Sequence, residues 1–276
     1  ICNYTMTKQD KINNFDANSI GDVNANMFGL PFTTLESETV LIPVPWEVTV
    51  SHTAGTARAP EAVFKASFQI DLYDSEMPAA WKEGFFMRNC DKKVLMKSDY
   101  LRKEAELYIN YIAQGEEVAD NKFMCKSQKE INEGSNFLNN WVFEQTKDLL
   151  NKGKLVGLLG GDHSTPLGYF KAIAEKYGEF GILQIDAHCD LRKGYEGFKY
   201  SHASIMYNAL EEIPQLKKLV QAGIRDYCDE EAAYITASNG RVSTFFDKDI
   251  KERQFEGATW QQIVNDIVDQ LPEQVF

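Results

Sequence analysis

Two apolar runs in the middle of the chain each end in a cluster of polar residues, and regular elements alternate around them. Residues 154–159 read as a buried strand running into Gly160-Gly161-Asp162-His163-Ser164. Residues 180–186 read as a second strand, in which Gly181, Ile182, Leu183 and Ile185 give way to Asp186, His188 and Asp190. Before the first strand, Leu138, Trp141, Val142, Gln145 and Leu149 mark a helix that stops near Gly153. Between the two strands Ser164 or Thr165 can cap a helix, with Pro166 in its first turn and Gly178 at its end. A helix from Tyr200 carries Ile205, Met206 and Leu210, and strand 218–224 leads into Arg225-Asp226. A short helix over 229–237 precedes strand 241–246, and Trp260, Ile263, Val264, Ile267, Val268 and Leu271 form the apolar face of a last helix. Strand and helix in alternation predict an α/β fold with a parallel sheet covered on both faces.

The first half is less regular. Residues 1–38 read as a polar arm, and residues 39–276 as the α/β domain proper. A buried strand over 39–46 breaks at its prolines into a loop, 47–59, that carries Ser51, His52, Gly55, Thr56 and Arg58. Pro60 opens a helix, and residues 68–73 alternate weakly enough to suggest a short strand. Residues 74–136 are charged with patchy helical stretches, the best over 100–112, and read as a helical elaboration around the core. Asp247 and Asp249 are expected in a loop on the far side of the fold.

Composition changes this picture little. At 276 residues the chain can bury the core of one large domain, and its 43% hydrophobic and 25% charged content is ordinary for a globular protein. A net charge of −12 argues against a nucleic-acid surface and is compatible with a small cationic substrate. The five cysteines are scattered without a CxxC pair, the usage of a reducing compartment. No apolar run approaches the ~20 residues of a membrane span, and the N-terminus lacks the order of a signal peptide. The cytoplasm is therefore the expected location, with no membrane partner.

The candidate chemistry lies at the two strand ends. Side chains alternate along a strand, so Asp186, His188 and Asp190 point the same way, while Cys189 turns to the opposite face and reads as a packing residue. Two carboxylates and an imidazole at the end of a buried strand are costly unless a positive charge compensates, and a divalent metal ion is the simplest such charge. The paired glycines deliver His163 to the carboxyl end of its own strand, where open α/β sheets hold their ligands.

Gly160-Gly-Asp-His-Ser164 and Asp186-Ala-His-Cys-Asp190 resemble the first two metal motifs of the ureohydrolases, the family of arginase, agmatinase and formimidoylglutamase, in order and separation as well as in residues. The resemblance runs from about Val40 to the C-terminus and is nearest to bacterial agmatinase-like members. It implies the three-layer α/β/α arginase-like fold with a central parallel sheet, and a site of two Mn²⁺ ions. By it, His163 and Asp190 would hold one ion, His188 the other, and Asp186 would bridge both. Two such ions about 3.5–4 Å apart can share a water and generate hydroxide near neutral pH. That hydroxide would attack a guanidinium carbon, releasing urea and an amine.

The resemblance further implies that His202, in Tyr200-Ser-His-Ala203, shuttles a proton and meets the substrate. The loop Gly55-Thr-Ala-Arg-Ala-Pro60 is similar to the family's substrate-side loop and puts Arg58 among the candidate substrate-binding residues, although Ala59 stands where the family more often has Gly. Agmatine is the first-choice substrate; formiminoglutamate, guanidinobutyrate, arginine and guanidine share the mechanism. A non-catalytic assembly subunit is the alternative of another class, and retention of the ligand residues speaks against it. A homo-oligomer, trimer or hexamer, follows from the resemblance.

The family's third motif, Ser-Phe-Asp-x-Asp, and its later guanidinium-binding Glu are not found in these residues. Gln274-Val-Phe276 resembles the start of the strand that should carry that motif, so the C-terminal strands are expected to be missing. The expectation is a fragment of a longer enzyme, with a plausible start at Met6 and four of six metal ligands, that binds Mn²⁺ weakly and hydrolyses little by itself.

Overall fold

The computed structural model describes residues 6–276, so Cys2 and the first residues of the arm lie outside the described residues. The arm is more ordered than its pattern suggests. Thr7 and Asp10 form a reciprocal capping box that opens α1 (Lys8–Asn14). Phe15 then packs on Trp81, in a small cluster with Leu30 and Phe32.

β1 (Thr39–Val44) is the buried middle strand of a first sheet, with Val40, Ile42 and Val44 sealed from solvent. Burying such side chains stabilises by roughly 1.5–3 kcal/mol each. After α2 (Ala59–Ala66) the chain makes a single 3₁₀ turn at Ser67–Gln69, where the alternation predicts a short strand. Phe68 there packs edge-on against Phe64 of α2, a local contact that ties this segment to the helix instead of to a sheet. β2 (Phe85–Met87) pairs parallel with β1.

The segment with the patchy pattern holds two of the longest elements of the fold, α3 (Lys92–Ala113) and α4 (Lys122–Asn151). Asp91 and Asn121 cap them by accepting hydrogen bonds from the first-turn amides. Their apolar stripes are narrow, with Val94, Leu101, Ala105 and Tyr108 on α3 and Ile131, Leu138, Val142 and Leu149 on α4. α4 thus begins well before the residues that mark it in the sequence, because Ser127, Gly134 and Ser135 stand on its buried face there in place of large apolar side chains.

β3 (Leu155–Gly160) pairs parallel with the other edge of β1, giving the order β2-β1-β3. α5 (Leu167–Tyr177) then packs closely on α4. Gly168 makes that approach possible, because a Cβ there would lie 2.1 Å from the Asn139 carbonyl oxygen. β4 (Phe180–Ile185), α6 (Ile205–Glu212), β5 (Leu216–Ile224), α7 (Asp229–Ala237), β6 (Val242–Phe246), α8 (Asp247–Phe255) and α9 (Trp260–Val268) follow. These strands form a second parallel sheet in the order β4-β5-β6, with β5 central. Asp247 and Asp249 sit in the first turn of α8, not in a loop, where the helix dipole favours negative charge.

The architecture is the expected α/β one, with helices packed on parallel sheets. In place of one central sheet, strand pairing among the described residues falls into two three-stranded sheets. Their facing edges, β3 and β4, do not pair with each other. Gln274 and Phe276 instead exchange backbone hydrogen bonds of 2.8–3.0 Å with Gly181 and Leu183 along the edge of β4 that β5 leaves free. The strands within each sheet run parallel, and the carboxyl ends of β3 and β4 line one cleft.

Candidate metal centre

The two strand ends deliver their side chains by different means. After β3 the backbone is wedged under the end of β1: a Cβ on Gly161 would lie 2.1 Å from the Trp46 carbonyl oxygen and 2.8 Å from that of Val44. The Asp162 N–H donates to that Trp46 oxygen at 2.8 Å. Asp162 itself is buried and accepts from Ser164 N at 2.9 Å and Thr49 N at 3.3 Å, so its carboxylate is committed to the turn. The next residue, His163, is left to project into the cleft.

After β4 the loop 186–190 is held by polar contacts. The Asp186 carboxylate accepts from the amide of His188 at 2.9 Å and from Gln184 Nε2 at 3.2 Å. Asp190 adopts a left-handed backbone, φ 54°. Its carbonyl oxygen accepts from Met206 N at 3.0 Å and Tyr207 N at 3.2 Å, at the start of α6.

The result is a compact cluster. His163 Nδ1 lies 2.6 Å from Asp190 Oδ2 and 3.0 Å from Asp186 Oδ2. One ligand atom from each of the three residues falls within 4.8 Å of the others, the one such group among the described residues. Burial opposes charge on His163, but the two carboxylates outweigh it and push the imidazole up to about 10. Burial would raise Asp186 as well, yet His163 and the N–H groups of His188 and Gln184 hold it well below the usual carboxylate range. At Asp190 burial wins and the carboxyl is pushed up. One imidazole nitrogen and two carboxylates at this spacing are the donor set of a hard divalent cation, so the residues fit a metal of that class.

The other expected site residues divide. His188 lies on the rim, 58% exposed, its Nδ1 3.7 Å from Asp186 Oδ1 and its Nε2 3.8 Å from Asp226 Oδ2, beyond hydrogen bonding to either. His202 stands on a 3₁₀ turn, His202–Ser204, with Nδ1 facing Ser201 Oγ at 3.3 Å and Thr49 Oγ1 at 3.5 Å. Its Nε2 makes no hydrogen bond among the described residues. Arg58 is not brought to the cleft. It forms an exposed ion pair with Asp99 of α3 at 3.1 Å and lines neither of the cavities that meet at the cluster. Loop 47–59 is curled back by buried Glu47, which accepts from Gly55 N and Ala57 N, and this turns Arg58 outward. What the loop does present is Ser51 and His52.

Those two cavities share His188, Asp190 and His202 in their walls. One of about 550 Å³ holds His163, Asp186, His188, Asp190 and His202. The other, about 380 Å³, extends from His188 and His202 past Tyr195, Arg192, Asp226 and Glu231. Arg192 stacks over Tyr195, its guanidinium 4.9 Å from the ring centroid. The sequence pattern does not assign these last four to a site; the acidic opening of α7 at 229–231 is the one available signal for Glu231.

The arginase family model matches residues 37–274. The chain is 28% identical over 206 residues to the N(1)-aminopropylagmatine ureohydrolase of Synechocystis, covering 74% of this chain and 56% of the relative. It is 30% identical over 191 residues to the protein of the same name from Thermus thermophilus, covering 69% and 52%. The chain therefore spans little more than half the length of these curated relatives. Among solved structures, the agmatine ureohydrolase of Thermoplasma volcanium superposes with a TM-score of 0.63 at 18% identity, over 89% of this chain and 67% of that one.

Proposed function

This chain belongs to the arginase family, and from that premise we propose that it contributes the catalytic cleft of a manganese-dependent hydrolase of guanidino compounds, agmatine or its N(1)-aminopropyl derivative first among them. The observation that carries the reading is the convergence of His163, Asp186 and Asp190 on one cleft from two strand ends. The relatives' names supply the guanidino substrate. Formimino and other guanidino substrates remain the alternatives for the same cleft.

Asp186, Asp190 and His163 would hold the first ion, and His188 on the rim, with Asp186, would serve a second. Bound there, divalent ions supply Lewis-acid charge and acidify water. Asp186 and Asp190 would supply the negative charge that holds them, and His163 an imidazole nitrogen. His202 has its Nδ1 facing hydroxyl groups, so Nε2 is the nitrogen that would pass a proton to the departing amine. The second cavity suits a cationic chain, since Asp226 adds an exposed carboxylate to its wall while Glu231 is already engaged near Arg192.

Four described cysteines are free, which supports a reducing, cytoplasmic setting. A homo-oligomer follows from the family resemblance. No helix among the described residues is long and apolar enough to cross a membrane. For these 276 residues by themselves the proposal is weak Mn²⁺ binding with little or no hydrolysis, because the described residues assemble one three-ligand cluster.

Mn²⁺ titration followed by a substrate panel scored for urea and for formamide tests the reading. Uptake of Mn²⁺ that is lost in Asp186→Ala is expected, with urea as the product wherever turnover is seen. Formamide in its place would move the assignment to a formimino substrate. Failure to bind any divalent ion would remove the metal-centre reading.

A further inference from the structure

Gln184, Gln221 and Thr244 stand side by side on three neighbouring strands. The parallel register pairs Gln184 of β4 with Gln221 of β5, and Gln221 with Thr244 of β6. Residues in register project to the same face of a sheet. The two glutamines are 4% and 0% exposed, among strand neighbours that are mostly apolar. Burying an amide is unfavourable unless its donors and acceptors are met.

Here they are met, and every step points the same way. Thr244 Oγ1 donates to Gln221 Oε1 at 2.8 Å. Gln221 Nε2 donates to Gln184 Oε1 at 2.6 Å and to the Cys189 carbonyl at 2.7 Å. Gln184 Nε2 donates to Asp186 Oδ2 at 3.2 Å and to the His188 carbonyl at 3.1 Å. The orientation of both amides follows from their surroundings, because carbonyl and carboxylate oxygens can only accept.

We propose that Gln184, Gln221 and Thr244 form a positioning ladder, buried at its two glutamines, that sets the Asp186 carboxylate and the loop 186–190 for a divalent cation. The ladder rests on the reading of the cleft as a metal centre. It fixes the successive carbonyls of 188 and 189, while α6 fixes that of Asp190 from the other side through Met206 N and Tyr207 N. Asp190 requires such restraint, since a non-glycine residue at φ 54° holds its conformation at a cost. Hydrogen bonds in series also polarise one another, so the bond that reaches Asp186 is strengthened by those behind it. Apolar side chains of similar volume would fill the same space without burying two amides. The ladder is therefore a device for holding the loop.

Gln184→Met, Gln221→Met and Thr244→Val keep volume and remove the hydrogen bonds. Each is read for Mn²⁺ dissociation constant, for Tm, and for hydrogen exchange of the 186–190 backbone in the absence of metal. The expected loss of Mn²⁺ affinity is about 10–100-fold in Gln184→Met, smaller in Gln221→Met and smallest in Thr244→Val. Exchange of the loop should accelerate in the same order. Tm should follow enclosure instead, with Gln221→Met lowest, so a merely structural role predicts a different ranking.

Mn²⁺ affinity in Gln184→Met within twofold of the unaltered chain overturns the ladder, as does an affinity loss that simply ranks with Tm. If the unaltered chain takes up no Mn²⁺, the metal-centre reading fails, and loop exchange alone decides: faster exchange in Gln184→Met upholds the ladder and unchanged exchange overturns it. Should Gln221→Met not fold, the other two variants still bracket both ends of the series.

Discussion

The loops after β3 and β4 bring ligands to the same cleft, but the first adds close backbone packing to its hydrogen bonds, whereas the second is shaped by hydrogen bonds from buried amides and α6. At Gly160-Gly161-Asp162-His163 the chain is wedged beneath the Val44 and Trp46 carbonyls, with no room for a methyl group at 161. At residues 186–190 the shape comes from amide donors on Gln184, Gln221 and α6. The difference teaches where each half is vulnerable. Changes of volume should damage the β3 side, and changes of polarity the β4 side.

Gly161→Ala is the severest test of that contrast. The added Cβ would meet backbone oxygens that cannot rotate away, so a loss of ~3 kcal/mol or more is expected. A denaturant midpoint close to that of the unaltered chain would show that the β3 turn is not sterically set. Asp186→Ala leaves the backbone free to keep its course and removes the carboxylate shared by His163, Gln184 and the His188 amide. It should abolish measurable Mn²⁺ uptake, and any turnover with it, while the Tm moves far less than in Gly161→Ala.

Much of this contrast is legible in the order of residues alone. Both strands, the paired glycines, and the three residues that converge are visible there, because an apolar run that stops in Asp or His is a local signal. Arg58 is misplaced by the same reading, since its partner Asp99 lies on a helix 41 residues further on and Glu47 curls the loop the other way. His188 shares strand alternation with its neighbours yet sits at the rim, because the chain has left the strand at Ile185 and alternation no longer applies. The Gln184–Gln221–Thr244 alignment cannot be read from the chain at all. It depends on the register between strands, and that is decided by the packing of the sheet.

His202→Ala separates chemistry from metal binding. The ring faces Ser201 and Thr49 and touches none of the three clustered ligands within hydrogen-bond distance. Mn²⁺ affinity should hold, and turnover of the active enzyme should slow by about 10²–10⁴-fold. Loss of metal in this variant would make His202 a ligand and redraw the cleft. Asp190→Asn is a finer probe. Asparagine tolerates the left-handed backbone, so the Tm should stay close to that of the unaltered chain while Mn²⁺ affinity falls for want of a charge. A large drop in Tm would mean that the ion pair with His163, not the backbone, holds the loop.

The smallest effect concerns α6, whose first amides grip the Asp190 carbonyl. Its last residue, Glu212, receives Lys171 and Lys199, each at 2.8 Å. Burial would raise the Glu212 carboxyl, but the two ammonium groups outweigh it and hold it below the usual range. A carboxyl depressed in the folded state adds stability that is fully present above the unfolded value near 4.5 and is lost as pH falls through the folded value. The ammonium partners are partly exposed, so solvent screening keeps the gain to a few tenths of a kcal/mol, about the scale of surface pairs. Glu212→Gln should therefore change the unfolding free energy little at pH 7 and flatten its decline below pH 4.5. An equal decline in both proteins would mean that the pair contributes nothing to anchoring α6. The hydrogen bonds from Met206 and Tyr207 would then owe their geometry to the apolar face of that helix alone, and the polar character of the β4 side would end at the loop.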